Sequence, residues 1–176
     1  MVKEVGGLKV ALIPVAQDTS PEVSSTGSLK FLPTVDSAVE AAKAARADGA
    51  DIVVGVVQTD MANDRALIKS HAFDVILSGD DHSYATAYDG VTAYVETSID
   101  GQFLTPIDLT VEVGEKDGKR TISWVPNFRF IDTATVEPDP ESKALADKLA
   151  AGLDETLNVE IGTTEGSAKT VTAVSK

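Results

Sequence analysis

Two stretches decide the fold: Asp51-Ile52-Val53-Val54-Gly55-Val56-Val57-Gln58-Thr59-Asp60 and Asp74-Val75-Ile76-Leu77-Ser78-Gly79-Asp80-Asp81-His82. The first is apolar at successive positions, so both of its faces are buried. That is the pattern of a strand inside a parallel sheet rather than of a half-solvated hairpin. The second is a shorter strand of the same kind, and residues 62–72 between them read as a helix. Upstream, residues 8–15 form another short apolar run, a buried strand. Thr34 can cap a helix whose apolar positions Val35, Ala38, Val39, Ala42 and Ala45 follow helical spacing, with Gly49 to end it. The order strand–helix–strand–helix–strand predicts an α/β sheet with right-handed crossovers. Residues 17–28, rich in Ser, Thr and Pro, read as a surface loop.

Beyond Gly79 the period changes. Residues 84–88, 91–97, 103–113 and 119–131 are rich in β-branched and aromatic side chains, and Asp89-Gly90, Asp100-Gly101 and Asp117-Gly118 separate them. Asp-Gly between strand-like runs is a strong hairpin signal, so an antiparallel meander is expected here. Asp139 can cap a last helix, with Pro140 at its first position, Leu145, Leu149 and Leu153 on one face and Gly152 near its end. The fold class is therefore α/β, a mixed sheet with helices plus an antiparallel meander. Residues 1–162 are expected to form the domain, and residues 163–176 a linker or the start of a further element.

Composition narrows the function. The chain has 176 residues, enough for one ordinary core, and a net charge of −13 from 15 Lys and Arg against 28 Asp and Glu. That surplus opposes a nucleic-acid polymer or an anionic membrane as partner, since both reward Lys and Arg. The absence of cysteine excludes disulfides, thiolate metal sites and a Cys nucleophile. No apolar run approaches the roughly 20 residues of a membrane span, and residues 1–7 lack the pattern of a signal peptide. No Gly-x-Ser-x-Gly elbow or phosphate-loop spacing occurs.

Ligands of parallel sheets bind beyond the carboxyl ends of the strands. Two such ends carry polar groups here, and neighbouring strands would bring Gln58, Asp80 and His82 to one rim. Amide oxygen, carboxylate and imidazole make a mixed oxygen/nitrogen donor set suited to Mn, Mg, Fe or Zn. Acidic residues at strand ends also serve as loop formers and helix caps, and Asp81 competes with Asp80 for the ligand role. Asp60 and Asp64 read as first-turn acids of the helix that follows, or as supports behind a metal site. His71, at a helix end, reads as a cation favourable to the helix dipole. Trp124, Phe128 and Phe130 alternate and read as core.

At Gly79-Asp80-Asp81-His82 the sequence resembles the calcineurin-like metallophosphoesterases, in particular the bacterial 5'-nucleotidase, UDP-sugar hydrolase and 2',3'-cyclic phosphodiesterase group. Residues 49–82 are similar to the second half of that catalytic domain. There an apolar strand ends in a metal-binding His, a helix follows, and a second apolar strand ends in Gly-His-x-His. Residues 5–14 are similar to the strand after the family's Asn-His segment, and residues 139–162 to the elements leading into its C-terminal substrate domain. Gln58 stands where the family usually has His, and Asp80 where the first His of Gly-His-x-His would be; His82 matches the second. Oxygen donors in place of imidazole shift preference from Zn towards Mn or Mg.

The family's Asp-x-His, Gly-Asp-x-x-Asp and Gly-Asn-His-Asp/Glu segments, which supply the bridging Asp, most metal ligands and the acid for the leaving group, have no counterpart in this sequence. What the resemblance implies is half of a four-layer α/β/β/α sandwich, taken from an enzyme that hydrolyses nucleotide phosphate esters with metal-activated water. Gln58, Asp80 and His82 would be its part of a divalent-metal site (Mn, Mg or Zn), with no catalytic residue on this chain. The missing N-terminal half, in cis or in trans, and a nucleotide would be its partners. The parent protein would be periplasmic or otherwise extracytoplasmic, and this chain alone inactive. A non-catalytic binding or structural module that has lost the metal centre is the alternative.

Overall fold

The computed structural model describes residues 1–160 and Gly162, and the chain divides into two compact units, Met1–Thr135 and Val136–Lys176. The expected linker at residues 163–176 lies outside the described residues. In the first unit the elements run β1 (Val2–Val5), β2 (Leu8–Ala16), α1 (Ser20–Val23), α2 (Thr34–Ala47), β3 (Ile52–Gln58), α3 (Met61–Ser70), β4 (Val75–Gly79), β5 (Tyr84–Tyr88) and β6 (Ala93–Thr97). They continue as β7 (Phe103–Leu104), β8 (Ile107–Lys116), β9 (Lys119–Phe128), β10 (Ile131–Asp132) and a 3-10 turn at Thr133–Thr135. The second unit holds α4 (Pro140–Leu157).

Six strands form one mixed sheet in the order β1-β2-β3-β4-β6-β5. The middle four are parallel, and β1 and β5 close the edges antiparallel. The register sets Gln58 beside Gly79 and Ser78 beside Glu96, so the carboxyl ends of β3, β4 and β6 lie in a row. On one face α2 and α3 pack: Ala38, Ala42 and Leu67 meet Ala11, Val53, Val57, Ile76 and Tyr94, with Phe73 completing the cluster. Gly55 suits this packing, because a Cβ there would sit 3.2 Å from the Phe73 ring, which would have to give slightly. On the other face the β8–β9 hairpin covers Ile52, Val54, Val75 and Ala93 with Ile107, Leu109, Ile122, Trp124 and Phe128.

The parallel strand–helix core agrees with the alternating apolar runs. The antiparallel strands, however, fall into three groups: β5 and β6 join the main sheet, β8 pairs with β9, and β7 pairs with β10. Thr34 is the first helical residue of α2, not its cap. Its buried hydroxyl instead accepts from the Asp18 amide at 2.9 Å, and Pro33 stands at the cap. Phe130 lies beyond β9 and is half exposed, edge-on to Tyr84 at 5.4 Å, so it is no core residue. Asp139 does cap α4, accepting from the Ser142 amide at 2.8 Å, which lowers its carboxyl below the usual range. The helix runs five residues past Gly152.

Candidate site at the carboxyl ends of the parallel strands

Each side chain at the rim is placed by the end of a strand. Gln58 closes β3 and Asp80 follows Gly79 of β4, and because those strands are parallel neighbours in register the two meet. The Gln58 Nε2 donates to Asp80 Oδ1 at 2.7 Å. No other hydrogen bond among the described residues reaches the Asp80 carboxylate, and both side chains are exposed. His82 lies two residues on, exposed, with left-handed backbone (φ 56°) and no hydrogen bond to its ring among the described residues. The structure thus brings Gln58 and Asp80 into contact and leaves His82 on the same loop, unengaged.

The competing acids resolve differently. Asp81 turns towards α3, where its Oδ2 accepts from the Met61 amide at 2.5 Å. Helix N-termini favour such a carboxylate, and this one is occupied by structure. Asp60 caps the same helix, accepting from the Asn63 amide at 2.8 Å. Its backbone amide and other oxygen clasp the Gln17 side chain, at 3.2 and 3.1 Å, which ties the β2–α2 loop to the rim. The wall so formed encloses a cleft of about 410 Å³ lined by Gln17, Thr19, Ser20, Val23, Ser24, Gln58 and Asp80.

Asp64 does stand in the first turn of α3, but not as a solvated acid. It is fully buried behind the rim. Three hydroxyls converge on its carboxylate: Thr59 at 2.5 Å, Ser78 at 2.6 Å and Tyr94 at 2.9 Å. The two short contacts fall in the range of charge-assisted O–H···O⁻ bonds. Burial, reinforced by the Asp64 charge, pushes the Tyr94 hydroxyl well above its ordinary value and keeps it a donor. Glu96, equally buried, stands 3.3 Å from the Tyr94 oxygen, and its Oε1 has no partner among the described residues. One signal in the sequence could have exposed part of this network: Ser78, Tyr94 and Glu96 are polar positions in or at the end of apolar strand runs.

As a metal site the rim is thin. Among the described residues no group of three or more His, Asp or Glu is arranged to hold an ion. Two oxygen donors and one nearby imidazole fit at most one loosely held hard cation, and not a pair of ions.

This fold has solved counterparts. A 5'-nucleotidase precursor from Thermus thermophilus superposes with a TM-score of 0.68 at 16% identity, over 90% of this chain and 34% of its own. A Staphylococcus aureus protein solved as a candidate 5'-nucleotidase, in complex with alpha-ketoglutarate, gives 0.65 at 18%, over 88% and 34%. The Haemophilus influenzae NAD nucleotidase gives 0.54 at 16%, over 89% and 41%. The chain has the fold of part of a 5'-nucleotidase. It spans about a third of the length of the first two structures. No protein-family profile matches the sequence, and no curated protein matches it.

Proposed function

We propose that this chain is one part of a metal-dependent phosphoesterase acting on nucleotide phosphate esters, and that Gln58, Asp80 and His82 are its contribution to the reaction centre. The observation that carries this reading is the superposition of 90% of the chain on a 5'-nucleotidase precursor, with the polar rim at the carboxyl ends where such sheets bind ligands. A divalent cation held there would supply positive charge to a phosphate oxygen. Asp80 and the Gln58 oxygen are its donors, with His82 the third.

The remainder of the centre comes from a segment outside this chain, the N-terminal half of the domain, supplied in cis or in trans. The sheet face next to the rim supports a docking half: Val56 and Leu77, on the side the β8–β9 hairpin covers only at the amino end, are 46% and 38% exposed. An extracytoplasmic, periplasmic setting for the parent protein belongs to the same reading, supported by the Thermus neighbour being a precursor. Among the described residues no helix is long and apolar enough to cross a membrane.

A second reading, a non-catalytic module descended from such an enzyme, is favoured by one observation: the Gln58–Asp80 hydrogen bond satisfies the rim from within. Activity separates the two. Purified with Mn or Mg, the chain should hydrolyse nucleoside monophosphates and cyclic nucleotides only at background rate, because a single weakly held ion leaves the leaving group without clamp or acid. Adding the parent's upstream half, fused or separate, should restore turnover that His82→Ala lowers. Silence after that addition supports the non-catalytic module.

A further inference from the structure

We infer that Asp64 is a positioning residue for the rim, holding the two strand ends that carry Gln58 and Asp80 in one register through the hydroxyls of Thr59 and Ser78. Thr59 follows Gln58 directly, and Ser78 precedes Gly79-Asp80. Both donate to the same carboxylate, at 2.5 and 2.6 Å, one to each oxygen. Asp64 itself is on α3, the crossover between these strands, and its side chain has no exposed surface. A buried carboxylate is costly unless its acceptors are filled. A strand end that drifts away takes a hydroxyl with it and strips a donor from the buried carboxylate. Tyr94 adds a third donor from β6, so three adjacent parallel strands converge on one group. Among the described residues Asp64 hydrogen-bonds to neither Gln58 nor Asp80, and acts on them through their chain neighbours.

The inference rests on the proposed function only for what the rim is used for; the geometry is tested without any activity. The probe is backbone amide exchange and the Gln58 side-chain amide resonance in the 176-residue chain. Asp64→Asn should raise exchange at Gln58 and Gly79 by roughly tenfold relative to Val53 and Val75, as expected for losing a hydrogen bond to a charged group. It should also move the Gln58 side-chain signal. The control is Thr92→Val, which removes another buried hydroxyl bond, to the Phe73 carbonyl at 2.8 Å, at the opposite end of the sheet. It should lower stability without moving the rim signals. Ser78→Ala should reproduce the rim effect and Ser78→Thr should not, and this pair decides the matter if Asp64→Asn does not fold. Rim signals unchanged in Asp64→Asn and Ser78→Ala, or shifted equally by Thr92→Val, would overturn the inference and leave Asp64 as ordinary core structure. Loss of the phosphoesterase reading would leave these outcomes as they are.

Discussion

Both ends of the six-stranded sheet carry aspartates, and Asp80, at the carboxyl end, is held unlike Asp51, Asp60, Asp64, Asp74, Asp81 and Asp89. At the amino end Asp51, Asp74 and Asp89 are all committed. Asp51 accepts from the Lys9 amide at 2.8 Å and pairs with Arg120, and the backbone bond first, then the guanidinium, hold its carboxyl below the usual range. Asp74 takes the Arg46 guanidinium, the Val53 amide and the Trp124 indole N–H. Asp89 accepts from the amides of Thr92 and Val91 and from His71, which together bring its carboxyl down to about 2. His71 is thus a hydrogen-bond partner of Asp89 as well as the left-handed cap of α3. At the carboxyl end Asp60, Asp64 and Asp81 are committed as well, whereas Asp80 has one partner, a neutral amide, and lies exposed. Acids that hold the fold together are surrounded by donors; Asp80 is left able to take another.

The sharpest way to break this contrast is at Asp74. Its replacement by Ala strips an acceptor from the Val53 and Trp124 N–H groups and the counter-charge from Arg46, so Asp74→Ala should cost about 2–3 kcal/mol in urea unfolding. A cost near zero would mean that the amino-end acids are no more structural than the rim.

A smaller and pH-dependent effect is expected at Asp89. Its folded pKa, about 2, lies below the unfolded value near 3.9, so its contribution is complete above roughly pH 4 and is lost as pH falls towards 2. The stability gap between the wild type and Asp89→Asn should be about 1 kcal/mol or less, since the exposed pair is screened by solvent, and should close over that interval. A gap that widens on acidification contradicts the assignment.

The smallest effects belong to the rim. Gln58→Ala, Asp80→Ala and His82→Ala should each change stability by less than about 0.5 kcal/mol, as exposed positions usually do. A large loss at any of them would make that residue part of the scaffold.

Much of this was readable from residue order. The apolar run at residues 52–57 and its shorter counterpart at 75–77 required parallel neighbours, and that fixed where Gln58 and Asp80 end up. Asp60 and Asp139 announced helix starts by chemistry that depends only on local sequence. What stayed hidden depended on distant pairing. The β5–β6 hairpin has a proper Asp-Gly turn, yet nothing local dictates that β6 slots beside β4 while β5 takes the edge. The cue was burial on both faces of Ala93-Tyr94-Val95-Glu96, a run as enclosed as β3. The burial of Asp64 stayed hidden for a related reason. Helical position suggests a solvated acid in a first turn, and only the tertiary approach of Thr59, Ser78 and Tyr94 makes a buried carboxylate tolerable. Asp80 and Asp81 could be told apart only by which one the helix end claims.

The most direct test of the contrast is to offer the chain a cation and see which end takes it. In a Mn²⁺ titration followed by paramagnetic broadening of NMR signals, with enough salt to screen diffuse attraction to a protein of charge −13, broadening should centre on Gln58, Asp80 and His82. Asp51, Asp74 and Asp89 should stay sharp, and Asp80→Asn should abolish the rim effect. Broadening that starts at the amino end, or spreads evenly over the acidic surface, would contradict the claim that the carboxyl-end rim is the functional end of this sheet.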